Sequence, residues 1–209
     1  MTHLARFGPS PFNVALFHEW LDTRSPEEHW ELIEGVAVMN PAPLVGHQRI
    51  ATITGPPFMV AAMDRRDGYK QALAEAAIPI RPDLIVESDF TQSGGYAAMH
   101  EILRLPDHPT AIFAGSDVMA AGALRAIHEV GLRVPDDMSL VSFDDLPLAS
   151  ILTPPLTTVH QPLHELGAAA ADLLLNRLEQ SDDHQPNHVR LPTHLVVRQS
   201  SGVPPARPR

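Results

Sequence analysis

The sequence predicts an α/β fold built on a parallel sheet. Three observations carry this. From about Gly46 onward, short apolar runs alternate with longer amphipathic segments in the order β-α-β-α-β-α-β. Glycine, proline or aspartate marks most junctions, as at Gly55-Pro56-Pro57 and Gly131. The composition is that of a globular chain: 209 residues, 44% hydrophobic and 19% charged. Strands separated by helical crossovers pair in parallel through right-handed connections.

The elements follow in order. Residues 14–21 have the spacing of one short helix, and Ser25-Pro26-Glu27-Glu28 reads as a helix start with acids in the first turn. Residues 30–39 read as a hairpin turning at Glu34-Gly35, and Asn40-Pro41-Ala42-Pro43 ends it. With few large apolar residues this stretch cannot build its own core, so 1–45 is expected to be a small irregular α+β segment. Then come a strand at 49–54, a helix at 59–77, a strand at 84–87 and a helix at 92–105. A strand at 110–114 leads to a helix that Ser116 caps and Gly131 ends, then a strand at 139–143. After Pro154-Pro155 a strand at 156–159 precedes a helix at 163–180, whose Leu163, Leu166, Ala170, Leu173, Leu174 and Leu178 form one apolar stripe. A polar loop at 181–188 and short β candidates at 189–191 and 194–197 close the domain, expected at 46–200. Residues 201–209 are a Pro-rich tail, expected to be disordered.

Several functions are set aside by composition. There are no cysteines, so disulfides, thiolate catalysis and cysteine-bound zinc are excluded. Lys+Arg is 15 against Asp+Glu 25, a formal net charge of −10, which has no general attraction for phosphate backbones. No apolar run reaches the roughly 18–20 residues that span a bilayer. Arg6, Gly8, Pro9 and Pro11 interrupt the start where a secretory segment would run, so a cytoplasmic location is expected. No G-x-S-x-G, H-E-x-x-H, P-loop or G-x-G-x-x-G occurs; no enzyme, cofactor or metal is expected.

Ligands of open parallel sheets bind beyond the carboxyl ends of the strands. Those ends carry Gly55-Pro56-Pro57-Phe58, then Asp89 and Phe90, then Gly115-Ser116-Asp117, then Asp144-Asp145. With Arg65 from the first helix they suit a small polyol: carboxylates and arginine hydrogen-bond diols, and an aromatic face stacks on apolar C–H. Each has a plainer alternative. Asp117 at a helix start can be a dipole-compensating acid. Asp145 can be a turn or cap residue, and Phe90 a core residue. Asp144, directly after a buried strand, is the strongest candidate. His160 and His164 have i, i+4 spacing, but Pro162 lies between them and no third ligand is evident. Glu27, Glu28, Glu31 and Glu34 read as a solvated face, and His184, His188 and His194 as solvated histidines.

From Gly46 to Ser200 the chain resembles the lac repressor (LacI/GalR) family of bacterial transcription regulators. The resemblance rests on Gly46-His47-Gln48-Arg49-Ile50-Ala51 with Thr52-Ile53-Thr54-Gly55, Arg65 with Gly68-Tyr69, Pro109-Thr110-Ala111-Ile112-Phe113-Ala114, and Ser116-Asp117 with Met119-Ala120-Ala121-Gly122. It continues in Gly131-Leu132-Arg133-Val134-Pro135-Asp136-Asp137, Phe143-Asp144-Asp145, Pro154-Pro155-Leu156-Thr157-Thr158-Val159 and Leu195-Val196-Val197-Arg198-Gln199-Ser200. It implies a periplasmic-binding-protein-like sensor for a small effector, a sugar or nucleoside. Arg65, Phe90, Ser116 and Asp144 match effector-contact positions. The family often has Asn where Ser116 stands and Gly where Ser142 stands. It also implies a homodimer packed partly through the helix from Ser116 and the segment near Leu152, and operator DNA as partner.

The departures shape the remaining expectations. The helix-turn-helix and hinge helix that read the operator in this family have no counterpart here, nor does the first half of the amino-terminal lobe. An incomplete lobe is therefore expected, with 156–180 stripped of the sheet it should join and its apolar stripe uncovered. Ligand binding by half a cleft is expected to be weak, at best about millimolar. The first residues resemble instead the start of the Uma family of PD-(D/E)xK-type nucleases, through Phe17-His18-Glu19-Trp20-Leu21, His29-Trp30-Glu31-Leu32-Ile33-Glu34-Gly35, Met39-Asn40-Pro41 and His47-Gln48-Arg49-Ile50. Pro82-Asp83-Leu84-Ile85-Val86-Glu87 lacks a following Lys, so the metal-binding half of that motif is not matched. The two resemblances meet at Gly46-His47-Gln48-Arg49-Ile50, which implies a chimeric or truncated product. A Uma-type metal-dependent endonuclease fragment and a stand-alone sugar-binding or dimerisation module are the alternatives.

Overall fold

The computed structural model describes the backbone of residues 30–33 and 36–39, and residues 49–179 and 189–203. The helices expected at 14–21 and after Ser25, the loop at 181–188 and most of the tail lie outside the described residues. Strands β1 (Trp30–Ile33) and β2 (Val36–Met39) form the expected antiparallel hairpin, Trp30 opposite Met39 and Ile33 opposite Val36.

The main body runs β3 (Ile50–Thr54), α1 (Val60–Glu75), β4 (Ile85–Glu87), α2 (Gln92–Leu103), β5 (Ala111–Ala114), α3 (Asp117–Glu129), β6 (Ser139–Asp144), α4 (Pro147–Ile151), β7 (Thr157–His160), α5 (Leu163–Glu179) and β8 (His194–Val196). Six strands form one sheet in the order β4-β3-β5-β6-β7-β8. Every neighbouring pair is parallel except β7–β8, which is antiparallel. The α/β fold with a mostly parallel sheet is thus as expected.

All five residues of β3 are buried, and four of them are β-branched. That is the signature of a central strand covered on both faces. The larger core lies beneath α2 and α3 and includes Ile53, Met99, Ile102, Ile112, Met119 and Ile127. The smaller core lies beneath α1, where Tyr69 and Leu73 meet Ile50 and Ala111. There the Tyr69 hydroxyl donates to the Ile50 carbonyl at 2.7 Å, and burial pushes its phenol up to about 12. Thr91 caps α2 by accepting from Gly94 N, and Ser116 caps α3 by accepting from Met119 N. Gly131, at φ +81°, ends α3 in the left-handed conformation that glycine adopts without penalty.

Helices α2 and α3 touch backbone to backbone. A Cβ placed on Gly95 would collide with the main chain of Met119, and one on Gly122 with the Gln92 carbonyl. The motif Met119-Ala120-Ala121-Gly122 therefore serves close helix packing.

Asp117 fastens α3 to the sheet. Its carboxylate is 0% exposed and accepts from Ser142 Oγ at 2.6 Å, Thr158 Oγ1 at 2.7 Å and Leu146 N at 2.7 Å. One side chain in the first turn of α3 thus holds β6, β7 and the loop after β6.

Four expectations are corrected. The segment from Leu156 is not stripped of a sheet: β7 pairs in parallel with β6, Thr157 opposite Val141, and Leu156 is fully buried. The strand expected from Leu84 starts one residue later, because Pro82–Leu84 closes a 3₁₀ turn. Residues 189–191 form no strand. The short helix α4, started by Pro147, was not expected and buries Ala149. The stripe on α5 behaves as expected: Leu163, Leu166, Leu174 and Leu178 stay exposed.

Two stability outcomes follow. Helix propensity alone would favour Gly122→Ala by about 1 kcal/mol, but the collision with Gln92 should outweigh it and leave a net loss of about 1–3 kcal/mol in urea unfolding. Asp117→Ala should lose about 3–5 kcal/mol in the same assay, since two hydroxyls and one N–H lose their buried acceptor.

Candidate effector-binding site

The carboxyl ends of β3, β5 and β6 and the turn after β4 bring Gly55, Gly115, Asp144 and Phe90 to one edge of the sheet. Arg65 reaches this edge from α1. Its Nη1 donates to the Gly115 carbonyl at 2.5 Å and its Nη2 to Asp144 Oδ1 at 3.2 Å. Its guanidinium lies 4.1 Å from the Phe143 ring centre and 5.9 Å from that of Phe90. Gln161, directly after β7, donates from Nε2 to the same Asp144 oxygen at 2.6 Å. Arg65, Asp144, Gln161 and two aromatic rings therefore converge.

The backbone there is strained in a telling way. Phe90 has φ +62°, Asp144 φ +117° and Asp145 φ +59°. Such residues cost on the order of 1–3 kcal/mol each and gather where side chains must be aimed. Among the described residues, three of the four non-glycine positive-φ positions fall at these strand ends. The Phe90 ring in turn lies against Gly55, where a Cβ would strike it.

The Arg65–Asp144 pair is electrostatically uneasy. Burial pushes the Asp144 carboxyl above its ordinary value, despite Arg65 and the Gln161 amide, and Asp117 adds to the rise. Burial likewise lowers Arg65, against the attraction of Asp144. Both side chains remain partly open, 16% and 18% exposed. Desolvation outweighs mutual attraction in both partners, the balance expected of a buried pair.

The other strand-end acids are occupied elsewhere. Asp117 is the buried fastener described above. Asp89 accepts from the N–H and hydroxyl of Thr91, the residue that caps α2, and is exposed to solvent. Asp145 pairs with Arg198 Nη2 at 2.7 Å and His160 Nδ1 at 2.9 Å, so it is more than a turn residue. Burial would raise its carboxyl, but these two partners hold it below the ordinary range. Ser116 lies at the edge, 5% exposed, with its hydroxyl oxygen engaged as the α3 cap.

Gln161 and Phe143 were not expected. The strand-end rule points to Gln161 once β7 is placed in the sheet. Phe143 stands one residue before Asp144 in β6. Phe58 and Val60, 82% and 65% exposed after β3, add apolar surface to the loop side of this edge. A separate hollow of about 190 Å³ lies at the opposite end of the strands, lined by Leu103, Thr110, Val130 and Met138. It is smaller than the roughly 300 Å³ at which small-molecule pockets begin, and none of the expected site residues lines it.

The periplasmic binding protein-like domain family matches residues 45–201. The chain is 44% identical over 135 residues to the ribose operon repressor of Escherichia coli (strain K12), covering 65% of this chain and 41% of that protein. Its fold is similar to that of the transcriptional regulator CelR in complex with cellobiose, with TM-score 0.71 and 42% identity over 75% of this chain and 48% of that one. It is similar also to the lac repressor dimer bound to operator and the anti-inducer ONPF, with TM-score 0.68 and 38% identity over 75% of this chain and 53% of that one. The chain thus spans about half the length of these relatives or less. The Uma resemblance of the first residues has no counterpart in these matches. The chain belongs to the periplasmic binding protein-like domain family.

Proposed function

We propose that this chain senses a small polyol, a sugar, through Arg65, Phe90, Asp144 and Gln161, as the effector-binding part of a LacI-type transcriptional regulator. The convergence of Arg65 and Gln161 on Asp144 between two aromatic rings carries this reading. The carboxylate and guanidinium match vicinal hydroxyls, and Phe90 and Phe143 match the apolar face of a pyranose or furanose. A ribose operon repressor and a cellobiose complex among the relatives support sugar over nucleoside. Ser116 contributes from its place beside Gly115. Arg65 and Asp144 answer one another's charge, which suits binding rather than catalysis.

Regulation would follow by linkage: an effector that prefers one arrangement of the domain shifts the population toward it. Operator DNA, a homodimer and a cytoplasmic location come with the LacI-type reading. Among the described residues no helix is long and apolar enough to cross a membrane. Nine of the thirteen residues of α3 are buried within the chain and Val118 is half-buried, leaving Arg125, His128 and Glu129 outward. A dimer would therefore rely more on the segment near Leu152, where Ile151 is 76% exposed.

The test is a thermal melt of the full chain with ribose, other pentoses, hexoses, cellobiose and nucleosides. At least one sugar should raise the melting temperature, because a ligand that binds only the native state stabilises it. Arg65→Ala and Asp144→Ala should each weaken that ligand by at least about tenfold, whereas Asp89→Ala should leave the shift intact. A cooperative melt that no member of the panel moves would count against the reading. A magnesium-dependent nicking assay, the check on the Uma resemblance, should show no activity.

A further inference from the structure

Beside the effector edge, β7 and β8 bring two histidines together that lie far apart in sequence. His160 and His194 are direct partners across the antiparallel pair. Their ring centres are 4.8 Å apart, with the planes tilted by 40°. His160 is 35% exposed and His194 is exposed. His164, the sequence neighbour of His160, sits exposed on α5 instead.

The tautomer of His160 follows from its partner. Asp145 also accepts from Arg198 Nη2 at 2.7 Å, and a carboxylate paired with a guanidinium serves as an acceptor. His160 therefore donates from Nδ1, which leaves Nε2 as its second ring nitrogen. A carboxylate that receives one ring N–H while the other nitrogen stays free is the arrangement found behind metal-bound histidines. With metal–nitrogen bonds of about 2.0–2.1 Å, two imidazoles sharing one ion hold their ring centres roughly 5 Å apart.

We propose that His160 and His194 form a two-nitrogen site for a divalent first-row transition ion, with Asp145 orienting His160 and Arg198 orienting Asp145. Imidazole ligands suit zinc, nickel and copper. Among the described residues no three histidine, cysteine, aspartate or glutamate side chains converge as ligands. With two protein nitrogens as its ligands, the ion binds reversibly. A bound ion would clip β7 to β8 one residue before Gln161. This inference does not depend on the identity of the effector.

The experiment is a calorimetric titration of the tag-free full chain with Zn²⁺, repeated with Ni²⁺, and a thermal melt with and without each ion. Wild type should bind in a single-site event that raises the melting temperature. His194→Ala and His194→Asn should lower the affinity at least about tenfold, Asp145→Asn by about tenfold, and His164→Ala should bind as wild type. The two His194 variants should melt as wild type without metal, since the residue is exposed. Affinity should also fall at about pH 5.5, where protons compete for the imidazoles. Equal binding by wild type and both His194 variants, loss in His164→Ala, or no binding up to about millimolar ion would overturn the proposal.

Discussion

The site rests on one buried carboxylate. Asp117 receives three hydrogen bonds from β6, β7 and the loop after β6. A carboxyl group with no exposure needs hydrogen-bond partners inside the protein, and this one has three. Because the donors come from different elements, satisfying the carboxylate sets where those elements lie. Asp144 and Asp145 follow directly on β6, and Gln161 directly on β7, so their positions inherit this constraint. Ser142, where LacI-family chains often have Gly, supplies one of the donors.

Around that fixed point the chain places its tension at the strand ends. Phe90, Asp144 and Asp145 all have positive φ, and Arg65 and Asp144 are paired at a net desolvation cost to each. The well-packed core beneath α2 and α3, where Gly95 and Gly122 let the helices meet, holds this strain in place. Rigid support and an uneasy polar pair are what a preorganised binding edge requires.

The same sheet gives Asp145 a different use from Asp144. Adjacent in sequence, the two carboxylates serve separate groups: Asp144 faces Arg65 and Gln161, and Asp145 faces Arg198 and His160. The left-handed backbone at both residues turns the chain sharply enough to split the pair. The candidate effector edge and the histidine pair are thus neighbours without sharing a side chain.

Much of this was legible in the sequence by itself. Alternating strand and helix periods determined a parallel sheet, because side-chain period and element length are local properties. The strand-end rule pointed to the edge that carries Asp89, Phe90, Ser116, Asp117, Asp144 and Asp145, the family resemblance singled out Arg65, Phe90, Ser116 and Asp144 there, and capping chemistry placed Ser116 and Gly131 correctly. The tertiary structure alone decided what each acid does, that β7 joins the sheet, that Gln161 reaches Asp144, and that His160 meets His194 rather than His164. These outcomes depend on the strand order β5-β6-β7-β8, which sets neighbours across tens of residues. Local spacing fixes which way a side chain points along its own element. It carries no information about which distant donor fills the space in front of it.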